Sequence, residues 1–339
     1  MAKPAQSSYI PTLDGLRALA IGLVISSHAL DPSLHPILAN GYVGVLVFFA
    51  LSGYLITTQL ISEYDATGGI SIRKFYERRA FRILPAALVY LAVVSVLANA
   101  GVIVCEWPSI RAALFFYANY ADHRWAVSHF WSLSVEEHFY LLWPALLIAF
   151  GVRRGWRTAL IASVAVGVLR MLVNRLHLFN GLFQDGAHGN FHSDLIADSI
   201  LWGCVLAFYM RRPVLALNEW SSTIVAVAAA AVLFAPFVLH MNSVTFLLNL
   251  MPTVLLGAIV AVPHAPIGRF LELPPLRYIG RLSYSLYLWQ ELFLSDPARH
   301  LRLPLALAAI FACALLSYQF IERPSIRLGR RLLLRGKTA

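Results

Sequence analysis

Only a few ionisable side chains interrupt the long apolar runs of this sequence, and their spacing permits chemistry. Arg17 and His28 lie 11 residues apart in one apolar run. In an α-helix this spacing is close to a whole number of turns, so both side chains share one face, separated by about 16.5 Å. A histidine in a membrane helix is a candidate general base. Alternatively, Arg17 pairs with Asp14, one turn away, and His28 caps the end of its helix.

A second polar group opens a later run, FWSLSVEEHFYLLWP at residues 130–144. Glu136 lies about 7.5 Å into this run, and His28 lies about 4.5 Å from the end of its own, so the two side chains have similar depth. A carboxylate beside a histidine fixes the ring tautomer and raises its basicity, which suits a general base. We therefore predict catalytic roles for His28 and Glu136. A buried, ion-paired structural role is the alternative for Glu136, but two adjacent carboxylates, Glu136 and Glu137, favour function.

Other polar side chains are candidates for contacts with the reacting groups. Negative charge that develops on a carbonyl oxygen needs a hydrogen-bond donor, and Trp131, Tyr140 and Ser134 are equally suitable in type. The predicted substrate-binding residues are Glu137, Trp131, Tyr140 and Asp198.

Two further intramembrane groups have predicted neighbours. Asp198 lies inside an apolar run and needs a cationic partner, either Arg170 or Arg17. The run GYVGVLVFFALSGYLI at residues 41–56 contains Gly44 and Gly53, which favour close approach of helices. Its Ser52 is too deep to be a nucleophile beside His28, and it lacks the G-x-S-x-G pattern.

Three arginines gather just before the third apolar run, in FYERRAFRILP at residues 75–85. Arg78, Arg79 and Arg82 are spaced so that they share one helical face, and guanidinium groups suit phosphates. From the residues alone, the favoured interpretation is the ordinary excess of positive charge on the cytoplasmic side, or contact with lipid headgroups.

The elements that must hold these residues follow from the composition. The chain has 339 residues, of which 59% are hydrophobic and 13% charged. Soluble globular proteins have roughly 45–50% apolar and about 25% charged residues. This composition excludes a soluble globular chain, a disordered chain and a nucleic-acid-binding domain. The three cysteines show no C-x-x-C or Cys/His spacing, so no metal site is predicted.

The apolar residues form ten runs that must be helices, because lipid leaves every backbone amide dependent on internal hydrogen bonds. We predict an all-α polytopic membrane helix bundle of about ten transmembrane helices, as one domain over residues 1–339 with no appended soluble domain. The runs lie near residues 16–31, 41–61, 83–105, 131–150, 157–174, 194–210, 221–240, 244–262, 276–295 and 303–322.

The net charge of +10 is also explained by topology. With the N-terminus in the cytoplasm, 20 Lys and Arg residues fall in inside stretches and five in outside stretches. This asymmetry predicts that both termini are cytoplasmic. The long outer stretches would be residues 106–130 and 175–193. Contacts with a variable ligand are expected there, because binding residues often lie on loops.

Several motifs follow one another along nearly the whole chain and together resemble one family. The sequence resembles the membrane acyltransferase-3 family of bacterial O-acyltransferases, which acylate surface polysaccharides, peptidoglycan, Nod factors and macrolides. The motifs are LDGLRALAIGLVISSHA (13–29), FFALSGYLI (48–56), RRAFRILP (78–85), FWSLSVEEHFYLLWP (130–144), ADSILWG (197–203), LSYSLYLW (282–289) and YQFIERP (318–324).

The resemblance implies that His28 is the catalytic base, with Arg17 as its partner, and that Glu136 is the glutamate of the fourth-run motif. It also implies that Arg79 and Arg82, with the adjoining Arg78, belong to a cytoplasmic acyl-CoA site. The sequence departs from the family pattern at Tyr54, where Phe is usual, at Ile196, where Arg is frequent, and at Gln290, where His is frequent.

The resulting hypothesis is a multi-pass enzyme of the bacterial cytoplasmic (inner) membrane. It would transfer an acyl group, most simply acetyl, from acyl-CoA to a hydroxyl of a glycan, lipid-linked sugar or small molecule. The expected partners are acyl-CoA, this hydroxyl-bearing acceptor and membrane lipids, with no nucleic acid and no metal. A covalent acyl-histidine is a mechanistic option. A polytopic transporter or flippase is the alternative from another class, although the sequence has no internal repeat.

Overall fold

The protein is described from a computed structural model, which covers residues 9–121, 125–176, 191–211, 217–238, 245–294 and 301–335. These residues form helices and no strand, which confirms the predicted all-α class. The α-helices are α1 (Pro11–Ala29), α2 (Gly41–Thr67), α3 (Ile72–Asn99), α4 (Trp107–Leu114), α5 (Trp125–Ser128), α6 (Phe130–Phe150), α7 (Gly155–Leu176), α8 (Ser193–Ile196), α9 (Asp198–Tyr209), α10 (Glu219–Val238), α11 (Thr245–Ala261), α12 (Pro266–Leu271), α13 (Pro274–Leu294), α14 (Leu303–Ser317) and α15 (Arg323–Arg335).

Six helices among the described residues are long and apolar enough to cross a membrane. They are Gly41–Thr67, Ile72–Asn99, Trp125–Phe150, Val152–Leu176, Glu219–Val238 and Leu303–Leu333. The chain is therefore a multi-pass membrane protein. The other predicted runs fall in α1, α8 with α9, α11 and α13, and the total of about ten spans stays a prediction.

The predicted orientation depends partly on residues outside the described ranges. Both ends of the chain, residues 1–8 and 336–339, lie outside them, as do residues 177–190 of the stretch 175–193. Cytoplasmic termini therefore stay a prediction.

Local sequence signals explain where several helices begin and end. Pro11 occupies the first turn of α1, where its missing N–H is not needed. The side chain of Asn40 accepts a hydrogen bond from the backbone N–H of Val43 at the start of α2, and Ser71 caps α3 in the same way. Gly68 ends α2 with φ of 75°, a left-handed conformation that glycine adopts without steric cost.

The described residues divide into two compact units. Unit 1 comprises residues 1–70 and 135–281, and unit 2 comprises residues 71–134 and 282–339. Two of the three boundaries between the units fall inside helices, α6 and α13, and the third falls between α2 and α3. One domain over residues 1–339 stays a prediction.

Unit 1 is built on α1, α2, α9 and α11, whose buried aliphatic side chains form its core. Helices α2 and α9 approach each other closely because each presents a glycine to the backbone of the other. Gly53 of α2 lies against the carbonyl of Ile200, and Gly203 of α9 lies against that of Ala50. Gly44 likewise lets α2 approach Ala20 of α1. The predicted packing role of Gly44 and Gly53 is confirmed.

Unit 2 contains α3, α4, α5, α14 and α15. It also includes the start of α6, as far as residue 134, and the end of α13, from residue 282. Helix α15 packs against α3, where Gly329 leaves room for the ring of Phe81. The hydroxyl of Tyr284 donates to the carbonyl of Ile83 at 2.8 Å, which ties α13 to α3. A π-helical turn, Tyr318–Glu322, joins α14 to α15.

Candidate functional site

Glu136 is held by two hydroxyl groups inside unit 1. Ser52 of α2 donates to Oε1 of Glu136 at 2.9 Å, and Tyr140 donates to Oε2 at 2.9 Å. The hydroxyl of Tyr140 also lies 3.2 Å from that of Ser52, so the three groups form a closed triangle. Two hydroxyl donors suit an ionised carboxylate, because the charged form only accepts hydrogen bonds and accepts them more strongly than the neutral acid.

The position of Ser52 is fixed by its neighbours on α2. Gly53, the next residue, packs against the backbone of α9, and Ala50, two residues earlier, receives Gly203. One turn further, the indole of Trp143 donates to the hydroxyl of Thr57 at 2.9 Å, which joins α6 to α2 again. The Glu136 carboxylate is therefore anchored to a helix pair whose spacing is set by backbone contact.

Arg17 lies in α1 and pairs with Asp14, with 3.0 Å between Nη1 and Oδ1. Asp14 is buried and also accepts a hydrogen bond from the hydroxyl of Tyr9. The ring of Tyr9 lies under the guanidinium of Arg277, 5.9 Å from the ring centroid. The alternative contact for Arg17, an ion pair with Asp14 one turn away, is thus present, and its catalytic role stays a prediction.

His28 lies in the last turn of α1, half-buried, where the helix gives way to a mostly exposed segment over residues 30–40. The end of α1 is held by Ser26, which donates to the carbonyl of Leu38 across this segment. Near the start of this segment, the hydroxyl and the backbone N–H of Ser33 hold the pKa of the Asp31 carboxyl below its usual value. His28 therefore lies on the same continuous helix as Arg17, as predicted, and beside an exposed segment.

Asp198 has the cationic partner that the sequence required. Both Nη atoms of Arg170 donate to its carboxylate, at 2.7 and 2.8 Å, and Asn249 donates at 2.8 Å. Asp198 is completely buried and Arg170 is nearly so. Arg170, not Arg17, is the partner. These contacts are those of a buried ion pair, and the predicted contact of Asp198 with substrate stays a prediction.

The remaining predicted residues of α6 divide between the units. Glu137 lies in unit 1 and is half-buried, and the neighbouring His138 is 2.7 Å from the hydroxyl of Ser193. Trp131 and Ser134 lie in unit 2. Ser134 accepts a hydrogen bond from the backbone N–H of Ala118 at 3.2 Å, which fixes the turn after α4.

The three arginines of the predicted phosphate site lie in the first turns of α3, in unit 2. Arg78 and Arg79 are half-buried and Arg82 is exposed. The guanidinium of Arg79 lies 6.0 Å from the centroid of the Phe75 ring. Arg82 acts electrostatically on Glu322, whose carboxylate accepts a hydrogen bond from Ser285. The cationic face is thus partly balanced by one buried acid.

Among the described residues, no group of three or more His, Cys, Asp and Glu side chains is arranged to hold a metal ion.

A family model described as an acyltransferase domain, acyltransferase-3, matches residues 10–322. The chain belongs to the acyltransferase-3 family. The resemblance predicted from the seven motifs is confirmed, and the match includes every residue proposed above for catalysis, donor binding and substrate binding.

The curated relatives of this acyltransferase-3 chain include two O-acetyltransferases. Peptidoglycan O-acetyltransferase OatA of Listeria monocytogenes is 30% identical over an alignment that covers 93% of this chain and 56% of the relative. O-acetyltransferase OatA of Staphylococcus aureus is 32% identical over an alignment that covers 95% of this chain and 58% of the relative. The chain thus spans a little over half the length of these relatives. No solved structure matches it.

Sequence reasoning missed two features of this acyltransferase domain. It set Ser52 aside because no nucleophile pattern surrounds it, whereas Ser52 is a hydrogen-bond donor to Glu136. It also passed over His129, which is buried and lies 2.8 Å from the carboxylate of Glu291. A signal was present, since both Glu291 and His129 are ionisable residues in or beside apolar runs.

Proposed function

We propose that this protein transfers an acyl group, most simply acetyl, from acyl-CoA to a hydroxyl of a carbohydrate acceptor. The observation that carries the proposal is the family match over residues 10–322, supported by two relatives named as O-acetyltransferases. One of these names specifies peptidoglycan, so a peptidoglycan-type glycan is the acceptor class to test first. A multi-pass chain of this kind is proposed to act in the bacterial inner membrane.

His28 is the proposed general base. It takes the proton of the acceptor hydroxyl as the oxygen attacks the thioester carbonyl, the carbon–sulfur bond breaks, and the proton passes to the departing thiolate of CoA. Proton transfer by a positioned side chain contributes about 10²- to 10⁴-fold in rate. The exposed segment after α1 supports this role, because it leaves the end of the helix open to an acceptor.

Glu136 is proposed to orient the ring of His28, and its negative charge is proposed to stabilise the positively charged imidazolium that forms there. The two hydroxyl donors from Ser52 and Tyr140 support an ionised Glu136, since they favour the carboxylate. Tyr140 is buried and is committed to Glu136, so its proposed contribution to substrate binding acts through that carboxylate. Glu137 and Trp131 remain the proposed direct contacts to the acceptor.

The nucleotide phosphates of acyl-CoA are proposed to bind Arg78, Arg79 and Arg82. These side chains share the start of one helix, and they bring three positive charges together on unit 2, which suits the charge of a phosphate group. Arg17 is proposed to assist His28 on α1, with Asp14 holding its guanidinium in place.

The test is acyl transfer from radiolabelled acetyl-CoA to peptidoglycan fragments, with the protein in proteoliposomes. His28→Ala should abolish transfer, whereas His35→Ala should not, because His35 lies in the exposed segment beside α1. Equal transfer by wild type and His28→Ala would refute His28 as the base. Transport of a glycan without acylation would instead support the transporter alternative, which the comparisons do not favour.

A further inference from the structure

Unit 2 contains a second carboxylate–histidine pair. Nδ1 of His129 lies 2.8 Å from Oε2 of Glu291, and both side chains are at most 2% exposed. The backbone N–H of His129 also donates to Oε2, at 3.1 Å. The hydroxyl of Ser128 donates to both carboxylate oxygens, at 2.8 and 2.9 Å. Glu291 is thereby held by donors from two consecutive residues.

These contacts define the tautomer of His129. An ionised carboxylate can only accept hydrogen bonds, so the proton of a neutral imidazole must be on Nδ1. Nε2 then carries a free lone pair. Among the residues that the structure describes, this buried Nε2 has no hydrogen-bond partner. A carboxylate at one ring nitrogen and a lone pair at the other is the arrangement by which histidine acts as a general base.

A complementary donor lies in the same aromatic cluster. Nε1 of Trp289 is buried and, within the described ranges, also lacks a hydrogen-bond partner. The rings of His129 and Trp289 both meet the ring of Tyr90 edge-on, with centroid distances of 5.3 and 5.4 Å. A buried polar atom without a partner costs about 1–3 kcal/mol, so one unsatisfied acceptor and one unsatisfied donor in this cluster point to a ligand.

The chemistry of that ligand follows from the two atoms. A single ligand that contacts both atoms would have to donate to Nε2 of His129 and accept from Nε1–H of Trp289. A carbonyl or thioester oxygen only accepts, and an ammonium group only donates, whereas a hydroxyl does both.

We propose that His129, Glu291 and Trp289 form a second hydroxyl-binding site, in which His129 acts as a base. The bound hydroxyl belongs to water or to an alcohol. When its oxygen attacks an acyl thioester, the O–H proton moves to Nε2, a carbon–oxygen bond forms, the carbon–sulfur bond breaks, and the proton passes to the thiolate. This chemistry rests on the proposed function, whereas binding of the hydroxyl does not.

The binding part is tested by nuclear magnetic resonance on the full chain labelled with ¹⁵N-histidine. His129→Gln identifies the His129 signals among those of the 11 histidines. The proposal expects a neutral ring protonated at Nδ1, with Nε2 unprotonated and in contact with an exchangeable hydroxyl proton. In Trp289→Phe this hydroxyl contact should weaken or disappear. A ring protonated at Nε2 would overturn the proposal.

The catalytic part is tested by release of CoA from acetyl-CoA, with and without a soluble N-acetylglucosamine oligomer. The assay uses the His28→Ala background, which lacks the base proposed for transfer to the main acceptor. In that background, His129→Gln and Trp289→Phe should each lower the remaining CoA release by at least tenfold. Ser132→Ala is the matched control, because it removes a neighbouring buried hydrogen bond to Tyr287 and leaves both proposed ligand atoms intact. A loss confined to reactions with the oligomer identifies an alcohol, and a loss in both identifies water.

Two further outcomes distinguish the proposed role of His129 as a base from a purely structural role, and from failure of the proposed function. If His129→Gln lowers the unfolding midpoint while CoA release per folded molecule is unchanged, His129 is not a base. If the wild-type protein releases no CoA under any condition, the proposed function fails, and the nuclear magnetic resonance result still decides whether the hydroxyl site exists.

Discussion

The hydroxyl of Tyr140 lies 2.9 Å from Oε2 of Glu136, which precedes it by one turn on the same helix. The hydroxyl of Ser52 donates to the other carboxylate oxygen, Oε1. The orientation of Glu136 therefore depends on α2 as well as on α6. This relationship makes Ser52 and Tyr140 the positioning residues for the carboxylate that we propose beside His28.

Removal of either hydroxyl should reduce acyl transfer without unfolding the protein. We expect Tyr140→Phe and Ser52→Ala each to lower kcat about tenfold, because a hydrogen bond to a charged group contributes roughly 1.5–3 kcal/mol. The KM for acetyl-CoA should change little. Steady-state kinetics of purified protein measure both values, and the double variant tests whether the effects are coupled. An unchanged kcat in the double variant would exclude this positioning role.

Loss of the arginines at the start of α3 should weaken binding of the acyl donor and leave insertion of the protein into the membrane unchanged. We expect Arg79→Ala combined with Arg82→Ala to raise the KM for acetyl-CoA by at least tenfold, since charge-assisted contacts to phosphate are lost. Arg153→Ala with Arg154→Ala removes the same charge from another exposed basic pair and is the control. If both double variants only lower the amount of inserted protein, the arginines serve membrane orientation.

Loss of the buried ion pair Arg170–Asp198 should lower the stability of the folded protein more than its catalytic activity. Arg170→Met leaves the Asp198 carboxylate without its cation, and loss of one partner of a buried pair costs about 3–5 kcal/mol. Arg170→Met with Asp198→Leu should recover much of this loss. Thermal unfolding in detergent measures the stability. If the folded double variant binds acceptor normally, Asp198 is not a substrate contact.

The glycine contacts between α2 and α9 should be intolerant of any side chain. A methyl group at Gly53 would meet the carbonyl of Ile200, which cannot move as a side chain can. We expect Gly53→Ala to lower stability by about 1–3 kcal/mol, the usual cost of overpacking, and to lower kcat through displacement of Ser52. Gly22→Ala in α1, where no atom lies within 4 Å, is the control. A stable Gly53→Ala with full activity would show that Ser52 is positioned by other contacts.

Much of the helical fold could be predicted because lipid imposes one local rule. Long apolar runs must form their own backbone hydrogen bonds. Among the described residues, each of the ten predicted runs lies mainly in a helix. A cationic partner for Asp198 could also be predicted, because a buried carboxylate requires a cation and the apolar runs contain few cationic side chains.

The hydrogen-bond partners across helices could not be read from the sequence in the same way. The contact between Ser52 and Glu136 joins residues 84 positions apart, and that between His129 and Glu291 joins residues 162 positions apart. Neither pair shares a helix, so periodicity does not relate them. Only the cost of burying such groups indicates that partners must exist.

The pairing of Arg170 with Asp198 also has a consequence for biogenesis. Helix α7, which carries Arg170, is synthesised before α9, which supplies the carboxylate 28 residues later. A lone arginine costs up to roughly 2.5–3.5 kcal/mol in an inserting helix, with the largest cost at the centre of the helix. Arg170 lies in the second half of α7. We therefore expect α7 to remain beside the insertion machinery until Asp198 has been synthesised, so that the two segments enter the lipid together.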